Sequence, residues 1–165
     1  MLECLSRYYN CGYTCVTPVN MYGPNDNYNP EDSHVIPGII YKMSKAGDTL
    51  NLKGTGKPLR QFMFSRDFAV ALVQLIGREN LPNNLIICPP PEQECSIKDI
   101  SETIKLVTDY KGEIHFENDP KNDGQFRKTA SSEKFIEMFP EFIFTNLKSG
   151  LEITYKDFKR CNIRK

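Results

Sequence analysis

The chain has 165 residues, of which 39% are hydrophobic and 25% are charged, so its composition is typical of one globular domain and excludes a disordered chain. Lys plus Arg and Asp plus Glu number 21 each, and this balance gives no general attraction to nucleic acid or to an anionic membrane surface. The sequence has neither an apolar run of membrane-spanning length nor the pattern of a secretory signal. We therefore expect a cytoplasmic protein, with no nucleic-acid or membrane partner, whose anion sites are local.

Helices and short strands alternate along the predicted chain, which favours an α/β or α+β fold. Apolar residues at helical spacing predict helices over 1–10, 35–46, 66–78, 97–110, 131–138 and from about 145 onward. Apolar or β-branched runs predict strands over 13–19, 50–52, 60–64, 84–88 and 113–117, the first of them buried. Residues 20–30 and 118–129 are polar and rich in turn-forming residues, so we expect loops there.

Capping residues mark the ends of several predicted helices. The first helix has no N-cap residue before it, so we expect it to be the tail of a longer helix. Ser65 is expected to cap the third helix, in which one face is predicted to carry Phe68, Leu72, Leu75 and Ile76. Ser96 and Asp99 have the spacing of a capping box at the start of the fourth helix.

The six cysteines are predicted to be free thiols. An even number allows disulfides, but the chain is not small and carries no secretory signal. No two cysteines have C-x-x-C spacing, and neither histidine lies at zinc-finger spacing from a cysteine pair. We therefore expect a reducing compartment and no metal site.

A first candidate site, Pro18–Pro24, directly follows the strand predicted at 13–19. In open α/β sheets, ligands bind beyond the carboxyl ends of the strands. Asn20 can hydrogen-bond an amide there, and the Gly23-Pro24 pair turns the chain sharply. The alternative is a turn that only leads the chain out of the sheet.

His34 is a second candidate, on a polar loop just before an apolar helix. An imidazole titrates near neutral pH, so it can serve as a catalytic acid or base. The alternatives are a solvated ring or a hydrogen bond at the helix start. The other histidine, His115, lies within a predicted strand and is interpreted as structural.

The segment Gly54–Arg60 resembles a phosphate loop but fits neither the Walker nor the dinucleotide-binding pattern. We expect its glycines to make a turn between strands at 50–52 and 60–64. Arg60 and Lys57 can still bind a phosphate, because a guanidinium matches the geometry of its oxygens.

Asp123 begins an Asp-Gly turn and is a further candidate, because its carboxylate can accept hydrogen bonds from ligand hydroxyls. Asp-Gly is also a common surface turn, which is the alternative.

Taken together, five segments resemble the GDP-L-fucose synthases, a family of extended short-chain dehydrogenases. The matching segments are 19–24, 23–28, 33–37, 54–62 and 121–128. The resemblance implies that residues 1–165 form the carboxyl-terminal portion of an NAD-dependent epimerase/dehydratase-type domain. The expected fold is the rear part of a Rossmann-type sheet, interleaved with a smaller α/β substrate-binding region. The family's glycine-rich turn and its Tyr-x-x-x-Lys pair precede the part of the family that this sequence resembles.

The resemblance also implies an activity: NADPH-dependent epimerisation at C3 and C5 of GDP-4-keto-6-deoxy-D-mannose, followed by reduction at C4. His34 would be the acid and would also contact the cofactor. The nicotinamide end of NADPH would be lined by Pro18, Val19, Asn20 and Met21. The GDP-sugar would be bound by Lys42, Lys53, Arg60 and Asp123, with Lys53 standing where the family usually has an aromatic residue. The family forms homodimers. The alternative is a non-catalytic chain that binds a nucleotide-sugar weakly or only associates with another chain.

Overall fold

The computed structural model describes residues 2–163, which form helices and short strands in alternation. The helices are α1 (Leu2–Tyr9), α2 (Val35–Lys45), α3 (Ser65–Leu75), α4 (Ile97–Thr108), α5 (Glu133–Met138) and α6 (Leu147–Ile163). The strands are β1 (Cys15–Pro18), β2 (Asn20–Tyr22), β3 (Thr49–Leu52), β4 (Leu59–Arg60), β5 (Phe62–Phe64), β6 (Asn84–Ile87), β7 (Cys95–Ser96), β8 (Glu113–Phe116) and β9 (Arg127–Lys128). The predicted α/β class is confirmed.

The strands pair mostly in parallel and at long range. β1 pairs with β6, β2 with β5, and β3 with β8, each pair parallel. β4 lies between β7, to which it is antiparallel, and β9, to which it is parallel. Parallel pairs need a crossover connection, and the helices supply these.

Two apolar clusters form the core on either side of the β2–β5 pair. One packs α2, α4 and α6 around β3, and it includes Tyr22 and Phe64. The other packs α3 and α5 against β6, and it includes Met63. Because successive side chains of a strand point to opposite faces, β5 sends Phe64 to one cluster and Met63 to the other.

The turn predicted between strands at 50–52 and 60–64 is confirmed, but the strands on its two sides do not pair with each other. β3 pairs with β8 rather than with the strands that follow it. Gly54 and Gly56 have φ of 81° and 72°, and this left-handed backbone directs the chain away from β3. β4 and β5 then join different sheets, with Gln61 between them.

The two predicted loops each contain a strand that their polar composition conceals. β2 occupies the first residues of the loop expected at 20–30, and β9 lies near the end of the one expected at 118–129. Each is stabilised by pairing with a strand about 40 or more residues away in sequence, as the registers Asn20↔Phe62 and Leu59↔Arg127 show.

The ends and buried faces of several elements differ from those predicted. Ser65 is the first residue of α3, and the N-cap position belongs to Phe64, which has no capping hydrogen bond from its side chain. α3 buries Ala71 and Leu75, whereas Ile76 lies beyond its last turn and is 78% exposed. The strand expected to be buried at 13–19 is shorter, and Thr17 on it is exposed.

The predicted capping box of α4 is confirmed. Ser96 Oγ accepts a hydrogen bond from the Asp99 amide at 3.0 Å, and Asp99 Oδ2 accepts one from the Ser96 amide at 3.1 Å. Within the described residues, no helix is both long enough and apolar enough to cross a bilayer.

Candidate functional site

A cavity of about 900 Å³ opens where β1 and β2 end and the loop leading to α2 begins. The residues that line it are Pro18–Asp26, His34–Ile36, Arg60, Phe62, Ser65, Gln125 and Lys128–Ala130. Its volume lies in the upper part of the range for small-molecule sites, and it sits beyond strand ends, where α/β folds bind ligands.

A second cavity, of about 290 Å³, adjoins the first. Its lining includes Lys42, Lys53 and Asp123. His34 and Arg60 line both cavities. The structure therefore brings the predicted cofactor residues 18–21 to one cavity and the other predicted substrate residues to its neighbour.

His34 is the N-cap residue of α2 by its backbone, but its side chain makes no capping hydrogen bond. The alternative of a hydrogen bond at the helix start is therefore wrong, and the exposed ring faces the two cavities. The loop before His34 is held by α6. Buried Asp157 accepts a hydrogen bond from the Asn25 amide at 2.7 Å, and the Tyr28 hydroxyl donates to Thr154 O at 3.2 Å.

Asp26 is a cavity residue that the sequence analysis did not single out. It lines the larger cavity together with His34, and its Oδ1 accepts a hydrogen bond from the Asn27 amide at 2.8 Å. Burial raises the pKa of the Asp26 carboxyl above its ordinary value, and the Asn27 amide and nearby His34 only partly oppose this. In sequence it is one of several Asn and Asp residues in a polar loop, and no local signal distinguishes it.

The Arg60 guanidinium is held in a fixed position by backbone carbonyls. Its Nη1 donates to Leu59 O at 2.7 Å and to Phe126 O at 3.2 Å, and its Nη2 donates to Gln125 O at 2.6 Å. Two of these carbonyls belong to residues 125–130, which we call the wall segment because four of its residues line the larger cavity. Lys57 is exposed and lines neither cavity.

Asp123 binds the glycine turn. Its Oδ1 accepts a hydrogen bond from the Thr55 amide at 2.7 Å, and its Oδ2 accepts one from the Thr55 hydroxyl at 2.6 Å. The bond from the Thr55 hydroxyl has the larger effect and the bond from the Thr55 amide the next, and together they hold the pKa of the Asp123 carboxyl below its usual range. The carboxylate thus has a structural partner within the chain, Thr55. The resemblance implies that it also binds the ligand.

All six cysteines, each within the described residues, are free thiols, as predicted. Burial raises the pKa of Cys95 to about 11, and Asp99 and Glu94 add to the effect. Burial also raises the pKa of Cys88. Neither thiol is suited to act as a nucleophile, because the thiolate is the reactive form. Residues 2–163 contain no group of three or more His, Cys, Asp or Glu side chains arranged to hold a metal ion.

The chain is similar in sequence to a known family of proteins. The family model described as "NAD dependent epimerase/dehydratase family" matches residues 1–88. A GDP-L-fucose synthase from Dictyostelium discoideum is 39% identical over 159 residues, which are 92% of this chain and 49% of that protein. The GDP-L-fucose synthase of Escherichia coli is 30% identical, over 96% of this chain and 52% of that protein.

A solved structure shares the fold. The GDP-L-fucose synthetase from Naegleria fowleri, in its crystal structure bound to NADP, superposes with a TM-score of 0.90 at 34% identity. The match covers 99% of this chain and 53% of that one. The chain thus spans about half the length of the relatives that it matches. From the family match, the shared fold and the cavity beyond the strand ends together, we conclude that the chain belongs to the NAD-dependent epimerase/dehydratase family.

Proposed function

We propose that this chain is the carboxyl-terminal part of a GDP-L-fucose synthase, which epimerises GDP-4-keto-6-deoxy-D-mannose at C3 and C5 and reduces it at C4 with NADPH. The observation that carries the proposal is the pair of adjoining cavities that share His34 and Arg60. One cavity accommodates the reacting end of a cofactor and the other a nucleotide-sugar, with a titratable ring and a guanidinium between them. The similarity to GDP-L-fucose synthases over 92% and 96% of the chain supports this assignment.

The larger cavity fits the nicotinamide end of NADPH. Asn20 Nδ2 donates to Gln61 O at 3.0 Å, while among the described residues Asn20 Oδ1 accepts no hydrogen bond and can receive one from a carboxamide. Pro18, Val19 and Met21 add an apolar surface for a ring. NADPH supplies the hydride for the reduction when it is bound. Its pyrophosphate requires a glycine-rich strand-to-helix turn, a motif that the 165 residues do not contain.

His34 is the acid in this proposal. Epimerisation removes a proton from a carbon beside the keto group and returns a proton to the opposite face, which requires a donor there. The ring is exposed to both cavities and is not engaged in capping, so it can deliver a proton to a sugar lying between them.

The nucleotide-sugar would lie along the cations. Arg60 presents its guanidinium to a diphosphate, Lys42 and Lys53 extend the positive charge along the smaller cavity, and Asp123 lies at its edge. A charged hydrogen bond of this kind contributes about 1.5–3 kcal/mol.

A second candidate is a chain that binds a nucleotide-sugar without catalysis, or that only associates with another chain. The observation that favours it is that the 165 residues contain no glycine-rich dinucleotide motif. The chain also spans about half of the relatives' length.

The test is a titration of the chain with GDP by calorimetry, with the variants Arg60→Ala and Lys57→Ala. We expect the wild type to bind GDP. Arg60→Ala should weaken binding by roughly tenfold to a hundredfold, because the guanidinium contacts the diphosphate. Lys57→Ala is the matched control and should change the affinity less than twofold or so. GDP binding that is lost more with Lys57→Ala than with Arg60→Ala, or a wild type that does not bind, would overturn the proposal.

A further inference from the structure

Gln61 occupies the junction between β4 and β5, with a cavity residue on each side of it. Arg60 and Phe62 both line the larger cavity. Because successive side chains in an extended chain point in opposite directions, Gln61 points away from the cavity, and it is fully buried at 0% exposure. A buried glutamine is costly unless its amide is hydrogen-bonded, so its partners explain why it is there.

The Gln61 amide substitutes for a neighbouring strand. Its Oε1 accepts a hydrogen bond from the Ala130 amide at 2.8 Å, and its Nε2 donates to Ala130 O at 3.2 Å. Both backbone groups of Ala130 are thus satisfied by one side chain, as they would be by a paired residue. Nε2 also donates to Pro89 O at 2.8 Å, which joins Ala130 to the end of β6.

The wall segment is attached to the rest of the molecule by the parallel pairing of β9 with β4 and by a few side chains. Gln61 holds its carboxyl end at Ala130. Glu94, whose side chain is 4% exposed, accepts hydrogen bonds from Arg127 Nε at 2.8 Å and from Thr129 Oγ1 at 2.6 Å. At the amino end of the segment, the carbonyls of residues 125 and 126 accept hydrogen bonds from the Arg60 guanidinium, and the carbonyl of Phe126 also accepts one from the Leu59 amide at 2.8 Å.

We propose that Gln61 is a positioning residue for the ligand cation of this site. By holding Ala130, it acts together with the β4–β9 pairing to keep the wall segment in the place where its carbonyls orient the Arg60 guanidinium toward both cavities. The same residue also fixes the opposite side of the larger cavity, because its carbonyl oxygen accepts the hydrogen bond from Asn20 Nδ2. The inference deepens the proposed function and rests on it for the identity of the ligand.

The test compares the full chain with three variants. Gln61→Met has a similar length but makes none of the amide's hydrogen bonds. Gln61→Glu keeps an acceptor for the Ala130 amide but donates to neither carbonyl when ionised. Gln74→Met is the matched control, because Gln74 is exposed on α3. Hydrogen exchange is followed by mass spectrometry in peptides that cover 125–132 and, as a reference, 97–108 of α4. GDP affinity is measured by calorimetry on the same samples.

In Gln61→Met, we expect exchange in 125–132 to accelerate by about tenfold or more while exchange in α4 stays within about twofold, and GDP binding to weaken by about tenfold. Gln61→Glu should show the same pattern to a smaller extent, and Gln74→Met should match the wild type.

Unchanged exchange in 125–132, equal acceleration in both peptides, or local acceleration with unchanged GDP affinity would overturn the inference. A wild type that bound no GDP would refute the proposed function and this ligand role together. In that case the exchange comparison would still decide whether Gln61 holds the wall segment.

Discussion

The Asp123 carboxylate joins two segments that lie 68 residues apart, the glycine turn and the loop before the wall segment. Hydrogen bonds from the Thr55 hydroxyl and amide favour the ionised carboxyl and so lower its pKa in the folded chain. A group whose folded pKa is depressed stabilises the fold fully above its unfolded pKa. That contribution is lost as the pH falls through the folded value. The link is therefore intact at neutral pH and breaks in acid.

The lowered pKa of Asp123 gives a first prediction. The NMR shift of the Thr55 amide proton should titrate with a midpoint below the ordinary aspartate value of about 3.9, because this proton is donated to the carboxylate. Asp123→Asn, which removes the titrating group, should abolish the transition. A midpoint at or above the ordinary value would show that Thr55 does not stabilise the charged form.

Among single residues, the sequence revealed those site residues whose chemistry is rare in the chain. His34 is one of only two histidines, and Arg60 follows a glycine turn. Gln61 and Glu94 were not predicted, because their importance depends on partners 69 and 33 residues away along the chain. The polar turn at Asp123 was predicted, but its bond to Thr55 could not be, for the same reason.

Among the elements, α6 approaches β2 through a close contact at Gly150. The Tyr22 hydroxyl donates to Leu147 O at 3.4 Å, across the surface of α6. A Cβ atom at Gly150 would lie 2.9 Å from Tyr22 Cζ and overlap the hydroxyl of that buried ring. Glycine here allows the helix to approach β2.

The second prediction concerns Gly150→Ala. Alanine favours a helix interior by about 1 kcal/mol over glycine, but overpacking of a core costs about 1–3 kcal/mol and occasionally more. Because Tyr22 is pinned between α6 and Phe64, we expect the overlap to dominate, with a net loss of at least about 1 kcal/mol in the free energy of unfolding measured in urea.

Gly47→Ala is the control for this measurement. Gly47 is exposed, and a methyl group added there would meet no neighbouring atom within 4 Å, so its substitution should change stability by no more than about 0.5 kcal/mol. If Gly150→Ala stabilised the chain, the close approach of α6 to Tyr22 would be wrong.

Whether an element could be predicted depends on whether the residues that determine it lie close together in the sequence. α4 was predictable because its capping box and its apolar spacing are local. β2 and β9 were not, because two or three residues within a polar segment become a strand only through a partner strand. The partner strand of β3 could not be predicted for the same reason, since pairing with β8 outweighs proximity along the chain.

Across the whole molecule, several apolar side chains remain exposed on and just after α3, and another is exposed on β6. Val70, Val73 and Ile76 recur at a spacing of three residues and are 52%, 67% and 78% exposed, and Ile86 on β6 is 40% exposed. Exposed apolar surface of this kind favours association.

The chain matches about half the length of its relatives. We expect the 165 residues alone to have no reductase activity, because they do not contain the glycine-rich turn that holds a dinucleotide pyrophosphate.

In the proposed function, this chain supplies the GDP-sugar half of a GDP-L-fucose synthase, with His34 as the acid. The most direct test joins the amino-terminal half of the Dictyostelium discoideum relative to this chain and measures exchange of the C3 and C5 protons of GDP-4-keto-6-deoxy-D-mannose with deuterated solvent. We expect the fusion to catalyse the exchange, and the same fusion with His34→Asn to be slower by about 10²–10⁴-fold, the range for one acid–base group. Exchange at the same rate in both fusions would contradict the role of His34, and a properly folded fusion without any exchange would contradict the proposed function.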